Sequence, residues 1–310
     1  MCWTMTLQYA YIRGTFVPLE DATINIRTHA FLYGTAVFEG VKAYWLPEEN
    51  RMAAFRLEEH YQRLIQSCRI IGLQHPLDVT TMVDITKELL KRNQCNSATY
   101  LRPIIYKSDL RIGPILKVPH THDDFCLFSV PMDGYLDTSN GLKVGVSSWR
   151  RLDDNAIPAR AKVNGAYVNT ALAKTDGYAS GFDDVVVLTN DGHVAEGSAM
   201  NLFLVRDGKL ITSSITDNIL EGITRNSVME LAAKELGIET LSRTIDRTEL
   251  YISDEAFFVG TATELAPITS FDHRPVGDGT VGEITKKLRD LYSKAVQGLL
   301  PAYQHWLTKV

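Results

Sequence analysis

The stretch Ala159-Arg160-Ala161-Lys162-Val163-Asn164-Gly165-Ala166-Tyr167-Val168-Asn169 decides how the rest of the chain is read. Its spacing places Lys162 at the mouth of a helix, with Tyr167 a little over one turn further on. Ala161 and Val163 flank the lysine where other charges would ordinarily stand, which makes its amine a candidate for desolvation and for nucleophilic use. A lone lysine at a helix start usually sends its head group back into water. The residues elsewhere in the chain decide against that reading.

Working outward, the 310 residues are 45% hydrophobic and 22% charged, the usage of an ordinary folded chain long enough for one large or two medium domains. A net charge of -5 leaves no basic footprint, so nucleic acid is not expected as a partner. Cys2, Cys68, Cys95 and Cys126 are scattered, and His120 and His122 stand in a polar loop. Neither a disulfide framework nor a metal site is indicated, and the cytoplasm is the expected compartment. No apolar run reaches bilayer length and no signal peptide is read at the start, so no membrane partner is expected.

Periodicity then sets the elements. A hairpin is expected over Leu7–Val17 around Arg13-Gly14, with the β pattern continuing from Ala22 to Ile26. The segment His29–Gly40 crowds aromatics around two glycines with no clean period, as core or as a pocket wall. Leu57, Tyr61, Leu64, Ile65, Cys68 and Ile71 make one helix closed by Gly72, with Arg63 off the apolar stripe. A second helix is expected over Thr80–Asn93. Thr99–Tyr106 reads as a strand that puts Tyr100, Arg102, Ile104 and Tyr106 on one face. An arginine on that face calls for an anion, supplied by the protein or by a ligand.

Phe125–Pro131 gives a further strand, and residues 132–141 read as a connection between a domain of 1–131 and one of 142–310. In the second half, Leu142–Trp149 is a strand and a helix is expected to about Lys174. Hairpins form around Asn190-Asp191-Gly192 and Arg206-Asp207-Gly208-Lys209. A helix opens at Gly222-Ile223-Thr224-Arg225 and closes at Gly237. A strand over Ala256–Val259 runs into Gly260-Thr261-Ala262-Thr263-Glu264, and Ile284–Ala295 is the last amphipathic helix.

Four features combine with Lys162. The helix start at Ile223-Thr224 offers amides and a positive dipole end to a phosphate. Gly260-Thr261 permits close backbone approach beside a hydroxyl, Glu196 ends a strand just before Gly197-Ser198, and Arg63 is a second candidate for the phosphate. Together with Tyr167 they match the needs of a pyridoxal-phosphate site, which are an amine, an acid for the ring nitrogen, a phenol for the ring oxygen and a cup for the phosphate.

With these residues in hand, the chain resembles a fold-type IV pyridoxal-phosphate enzyme, specifically the branched-chain amino acid aminotransferase family, over nearly its whole length. The resemblance rests on Tyr33-Gly34-Thr35-Ala36-Val37-Phe38-Glu39-Gly40, Ala161-Lys162, Glu196-Gly197 with Asn201-Leu202-Phe203, Gly222-Ile223-Thr224-Arg225 and Gly260-Thr261-Ala262-Thr263-Glu264. It implies an α+β fold with a smaller N-terminal α/β domain and a larger C-terminal domain rich in β-structure. It also implies pyridoxal 5'-phosphate as cofactor, and transfer of the amino group of L-leucine, L-isoleucine or L-valine to 2-oxoglutarate. Lys162 would be the Schiff-base lysine and proton shuttle, Glu196 the partner of the pyridine nitrogen and Tyr167 that of the ring hydroxyl. Arg63, Ile223, Thr224 and Thr261 would hold the phosphate.

For the substrate, the resemblance implies that Thr261, Ala262 and Tyr100 receive the α-carboxylate and that Arg102 receives the second carboxylate of glutamate. Tyr33, Phe38, Lys42 and Tyr135 would wall the side-chain pocket. It further implies a homodimer or larger homo-oligomer. Met132 stands where many relatives carry tryptophan, and Lys107–Pro114 replaces a more glycine-rich loop in which Arg111 could add a cation. D-amino acid and (R)-amine transaminases share the cofactor residues and differ in the pocket; Tyr100-Leu101-Arg102 with Lys42 favours the branched-chain type. Aminodeoxychorismate lyase and a non-catalytic cofactor-binding protein are more distant alternatives.

Overall fold

The computed structural model describes residues 8–117, 123–132, 138 and 140–310. Cys2, Leu7, His120, His122 and Tyr135 lie outside these described residues, as does most of the 132–141 connection. In chain order the elements are β1 (Tyr9–Ile12), β2 (Thr15–Pro18), α1 (His29–Tyr33), β3 (Ala36–Phe38), β4 (Val41–Leu46), β5 (Arg51–Phe55), α2 (Leu57–Ile71), α3 (Val79–Arg92), β6 (Thr99–Lys107) and β7 (Asp123–Pro131). They continue as β8 (Leu142–Arg150), α4 (Tyr167–Ala179), β9 (Asp184–Leu188), β10 (Val194–Gly197), β11 (Asn201–Arg206), β12 (Lys209–Thr212), α5 (Ile223–Leu236) and β13 (Thr240–Ser242). Last come β14 (Glu255–Gly260), β15 (Glu264–Phe271), β16 (Arg274–Pro275), α6 (Glu283–Val296) and β17 (Leu307–Lys309).

The fold is α+β, and the chain divides into two compact units. The first gathers residues 1–133, 161–165 and 296–310 around an antiparallel sheet in the order β17-β5-β4-β6-β7-β1-β2, with β3 also paired to β6. The expectation that 142–310 forms one continuous domain therefore misses two returns of the chain. β17 closes the sheet edge with Leu307 opposite Phe55, and Val163 bridges Val37. The β1–β2 turn works because Arg13 and Gly14 both take positive φ, the geometry that matches strand twist in a two-residue hairpin.

Helix α2 buries Leu57, Tyr61, Leu64 and Cys68, and Gly72 ends it in the left-handed conformation with its N–H bonded to the Cys68 carbonyl. Helix α3 starts on Asp78, whose side chain accepts from the Thr81 amide at 2.8 Å. The strand expected over Ala22–Ile26 is absent. Pro18 ends β2, a single tight turn follows at Leu19–Asp21, and no neighbouring strand supplies a ladder, so Ile24 and Ile26 are exposed.

The second unit holds residues 134–160 and 166–295 around a mixed sheet in the order β10-β9-β8-β15-β14-β11-β12-β13, with β16 paired to β15. The pairings β8–β9, β8–β15 and β12–β13 are parallel. Strand β9, Asp-Val-Val-Val-Leu, is buried throughout and reads as an unbroken apolar run because both of its faces are covered. Val186 and Leu188 join a core with Leu202, Phe258 and Phe271, whereas Val185 and Val187 join a smaller cluster with Ala173 of α4.

Lys162 is not at a helix mouth. It lies in an extended segment, a tight turn follows at Asn164–Ala166, and α4 begins only at Tyr167 and runs to Ala179. Strands β3, β4, β5, β13, β15, β16 and β17 have no counterpart in the periodicity reading, since most are short or buried on both faces. Among the described residues, no helix is long and apolar enough to cross a membrane.

Helix α4 passes close to β9 at a glycine. A Cβ on Gly177 of α4 would stand 2.2 Å from Val185 Cγ1. Alanine in a helix gains about 1 kcal/mol of propensity over glycine, but overpacking a filled core costs about 1–3 kcal/mol. Gly177→Ala should therefore lower Tm, and pairing it with Val185→Ala should recover part of the loss beyond the sum of the single changes; thermal unfolding of the three variants checks this.

Candidate active site

In the first unit the reactive residues converge on β3 and the strand beside it. The Phe38 amide donates to the Lys162 carbonyl at 3.0 Å, the Gly165 amide to the Gly34 carbonyl at 3.2 Å, and the Lys162 amide to Ser67 Oγ at 3.2 Å. The lysine backbone is thus fixed to β3 and to α2. Its Nζ sits 4.9 Å from the centre of the Phe38 ring, on the aromatic face that attracts cations. Gly34 and Gly165 pass so closely that a Cβ on Gly34 would lie 2.8 Å from Gly165 Cα, which explains the paired glycines.

Arg102 occupies the same region from β6. Its Nη2 donates to the Tyr100 hydroxyl at 2.9 Å, and its guanidinium stacks 4.3 Å from the Phe38 ring centre and 5.2 Å from that of Tyr100. Its Nε is buried without a hydrogen-bond partner, and among the described residues no carboxylate pairs with it. The anion that the sequence calls for is therefore not a described side chain. A Cβ on Gly40 would fall 2.2 Å from the Tyr100 hydroxyl, so glycine keeps that phenol beside Arg102. Lys42 is buried opposite Tyr100 across the β4–β6 pair and lies 5.3 Å from the Tyr44 ring centre.

Tyr33 faces the 108–117 loop. Its hydroxyl accepts from the Gly113 amide at 3.1 Å, and buried His29 takes the Gly113 carbonyl at Nε2, 2.9 Å away. Arg111, considered as an extra cation, folds back onto Asp109 at 3.1 Å and is exposed. Arg63 is held by Glu39, with Nε to Oε1 and Nη2 to Oε2 both at 2.7 Å, and His60 Nδ1 reaches the same carboxylate at 2.8 Å. Burial by itself would raise the Glu39 pKa. The Arg63 charge, with the hydrogen bonds from His60 and Arg63, outweighs it and holds the carboxyl well below the usual range. Burial also lowers the pKa of His60, against the opposing pull of Glu39. The imidazole is thus neutral and donates through Nδ1.

In the second unit Glu196 is 4% exposed and surrounded by donors. Arg151 Nη2 lies 2.7 Å from Oε1, while Oε2 accepts from Asn201 Nδ2 at 3.0 Å and from the Leu220 amide at 3.3 Å. A register shift between Val194 and Glu196 on β10 re-aims the acid relative to its strand. Asn201 Nδ2 also donates to the Leu220 carbonyl at 2.9 Å, which ties the acid to the segment entering α5.

At the start of α5, Gly222 is the N-cap and brings no side-chain acceptor, so the amides of Ile223 and Thr224 have no side-chain cap. Arg225 turns into the protein, donating through Nη2 to the Ser213 carbonyl at 3.3 Å and to Ser242 Oγ at 3.0 Å. Thr261 and Ala262 form the tip between β14 and β15, where Glu264 takes a positive φ. Tyr167 is the first residue of α4. Within the second unit a buried carboxylate, a phenol and amides at a helix start suit a phosphorylated pyridine, and the first unit carries the amine. Glu39, His60 and Arg151 had no role in the sequence reading. The consecutive arginines at 150 and 151 and the i, i+3 spacing of His60 and Arg63 were the available signals.

Comparison with known proteins agrees with this geometry. The profile of the family described as Amino-transferase class IV matches residues 36–271. Among similar proteins, a probable branched-chain-amino-acid aminotransferase of Aquifex aeolicus is 44% identical over 310 residues, covering 100% of this chain and 99% of the relative. The branched-chain aminotransferase of the archaeon Thermoproteus uzoniensis, solved with norvaline, superposes with a TM-score of 0.93 at 37% identity, covering 98% of this chain and 99% of that one. The T.th. branched-chain amino acid aminotransferase complexed with N-(5'-phosphopyridoxyl)-L-glutamate gives 0.91 at 37% identity, covering 97% and 98%. The chain belongs to the class IV aminotransferases.

The Glu196 network makes a testable demand. A Cβ on Gly222 would lie 2.0 Å from Asn201 Oδ1. Gly222→Ala should destabilise by about 1–3 kcal/mol, yet cost much less in an Asn201→Ala background. A double-mutant cycle by urea unfolding should return a coupling of about 1 kcal/mol or more.

Proposed function

We propose that this protein moves the amino group of L-leucine, L-isoleucine or L-valine to 2-oxoglutarate, giving the branched 2-oxo acid and L-glutamate, with pyridoxal 5'-phosphate as its cofactor. The observation that carries this reading is Arg102. A guanidinium laid on the Phe38 and Tyr100 rings, with a buried Nε unpaired, offers one region to both an apolar side chain and a carboxylate. A transaminase that alternates a branched substrate with glutamate needs both properties in one pocket. The solved relatives carrying norvaline, a straight-chain isomer of valine, and a phosphopyridoxyl-glutamate support a pocket that takes an apolar side chain and a carboxylate in turn.

When bound, the cofactor supplies an electron sink for the carbon that loses its proton. The chain's own residues do the rest. Lys162, held by Phe38 and Ser67 through its backbone, carries the amine and takes up or returns a proton at Nζ. Glu196, held in place by Arg151 and Asn201, would favour a proton on the ring nitrogen it would face. Tyr167 is assigned to the ring hydroxyl, and Arg63, Ile223, Thr224 and Thr261 to the phosphate. Tyr100, Thr261 and Ala262 are assigned to the substrate α-carboxylate, and Tyr33, Phe38, Lys42 and Tyr135 to the side-chain pocket. We assign the protein to branched-chain amino acid biosynthesis in the cytoplasm, and to a homodimer or larger homo-oligomer. Exposed Phe31, Ile112 and Ile115 in the first unit are compatible with self-association.

Purified protein should absorb in the visible, and Lys162→Ala should abolish that band together with L-leucine:2-oxoglutarate transamination; a colourless wild-type protein defeats the reading. Arg102→Ala should reduce kcat/KM for glutamate by about 10²-fold, the scale of one lost charge-assisted contact, and that for leucine far less. Equal losses would make Arg102 a structural residue only.

A further inference from the structure

Glu39 is wholly buried and carries no assigned role, yet it accepts from Arg63, assigned to the phosphate, and from His60. Its Oε1 and Oε2 take Arg63 Nε–H and Nη2–H, both at 2.7 Å, in the bidentate arrangement that fixes the plane of a guanidinium. Its Oε2 also accepts from His60 Nδ1 at 2.8 Å. His60, Arg63 and Ser67 fall at helical spacing along one side of α2, and Ser67 Oγ accepts the Lys162 amide. The Glu39 amide donates to the Pro103 carbonyl of β6 at 2.9 Å, the strand of Tyr100 and Arg102. One buried carboxylate thus joins the polar side of α2 to the strands that carry the pocket.

We propose that Glu39 is a positioning residue for anion recognition, locking the Arg63 guanidinium in a single orientation and, through His60, holding the polar side of α2 against β3. The inference rests on the reading that Arg63 faces the cofactor phosphate. A carboxylate beside an anion-binding arginine weakens its pull on a phosphate through charge, so such a partner is useful only if orientation outweighs charge. In water a mobile arginine loses much side-chain entropy on binding, and a guanidinium already held at two nitrogens has lost it in folding. Glu39 and Arg63 cancel in charge and His60 is neutral, so the burial leaves no net charge behind.

The test compares the affinities of cofactor-free protein for pyridoxal 5'-phosphate and for pyridoxal, the same ring without the phosphate, in the wild type, Arg63→Gln, Glu39→Gln and the double variant. The dissociation constant of pyridoxal divided by that of pyridoxal 5'-phosphate reads the phosphate contact alone. Arg63→Gln should lower that ratio about tenfold or more, the scale of a hydrogen bond to a charged group. Glu39→Gln should lower it by a similar factor with little change for pyridoxal, and the double variant should fall no further than either single one.

If Arg63→Gln leaves the ratio unchanged, the phosphate reading of Arg63 fails and this inference goes with it. If Arg63→Gln lowers the ratio and Glu39→Gln leaves or raises it, the reading stands and the positioning role is overturned. A Glu39→Gln variant that weakens both ligands equally shows a purely structural carboxylate. Should Glu39→Gln not fold, Glu39→Asp keeps the buried charge but cannot reach both partners. A folded Glu39→Asp with the full wild-type ratio overturns the proposal, and a ratio lowered severalfold supports it.

Discussion

The placement of one amine depends on a few backbone contacts. Residues 161–165 belong to the first unit although the chain on either side belongs to the second. They are held there by the Val37–Val163 bridge, by Phe38 N–H to the Lys162 carbonyl and by Gly165 N–H to the Gly34 carbonyl. A flexible lysine can sweep a wide arc, and these bonds restrict the arc by fixing its root. The glycines at 34 and 165 allow the approach, the Phe38 ring receives the cationic end, and Ser67 adds a tether from α2. Arg102 and Tyr100 are set by the pairing of β3 and β4 with β6. The placement of these side chains is thus a property of sheet register.

A contrast runs between the cations of the first unit. Arg63 is neutralised by a buried carboxylate, whereas among the described residues Arg102 has a phenol and two aromatic rings in place of one. Burial of a guanidinium is tolerable in both settings for different reasons. Arg63 exchanges water for two charge-assisted hydrogen bonds. Arg102 rests on π-faces that attract a cation without competing for an incoming carboxylate. Under the proposed function, an arginine that binds and releases substrates in turn is better served by rings than by an acid. In the second unit Glu196 shows the complementary arrangement, an acid ringed by Arg151, Asn201 and the Leu220 amide.

Much of this was legible in the chain because it is written in local terms. Gly72 and Gly237 end helices, Gly222 opens one, Arg13-Gly14 turns a hairpin, and the alternation of Tyr100 and Arg102 puts both on one face. Motif order brought out Lys162, Glu196 and the start of α5. What escaped depends on partners distant in sequence. The extended path at Lys162 exists because β3 lies beside it, and no helical period could announce that. The hydrogen bond between Glu39 and His60, 21 residues apart, appears only when α2 is laid against the chain just after β3. Arg151 becomes legible only once Glu196 is found across the sheet. Ala22–Ile26 has the alternation of a strand and lacks a neighbour to make it one.

The pairing of β17 with β5 has a consequence for how the protein is made. Residue 307 completes an edge whose partner, residue 55, leaves the ribosome far earlier, and the intervening chain builds the whole second sheet. During translation Met52, Ala53 and Ala54 wait with one row of amides and carbonyls unmatched, the kind of open margin that recruits stray strands. Closing so long a loop costs entropy before any reward arrives, which slows this last step relative to the local helices. The nascent first unit is therefore adhesive along that uncovered border until residue 307 has emerged.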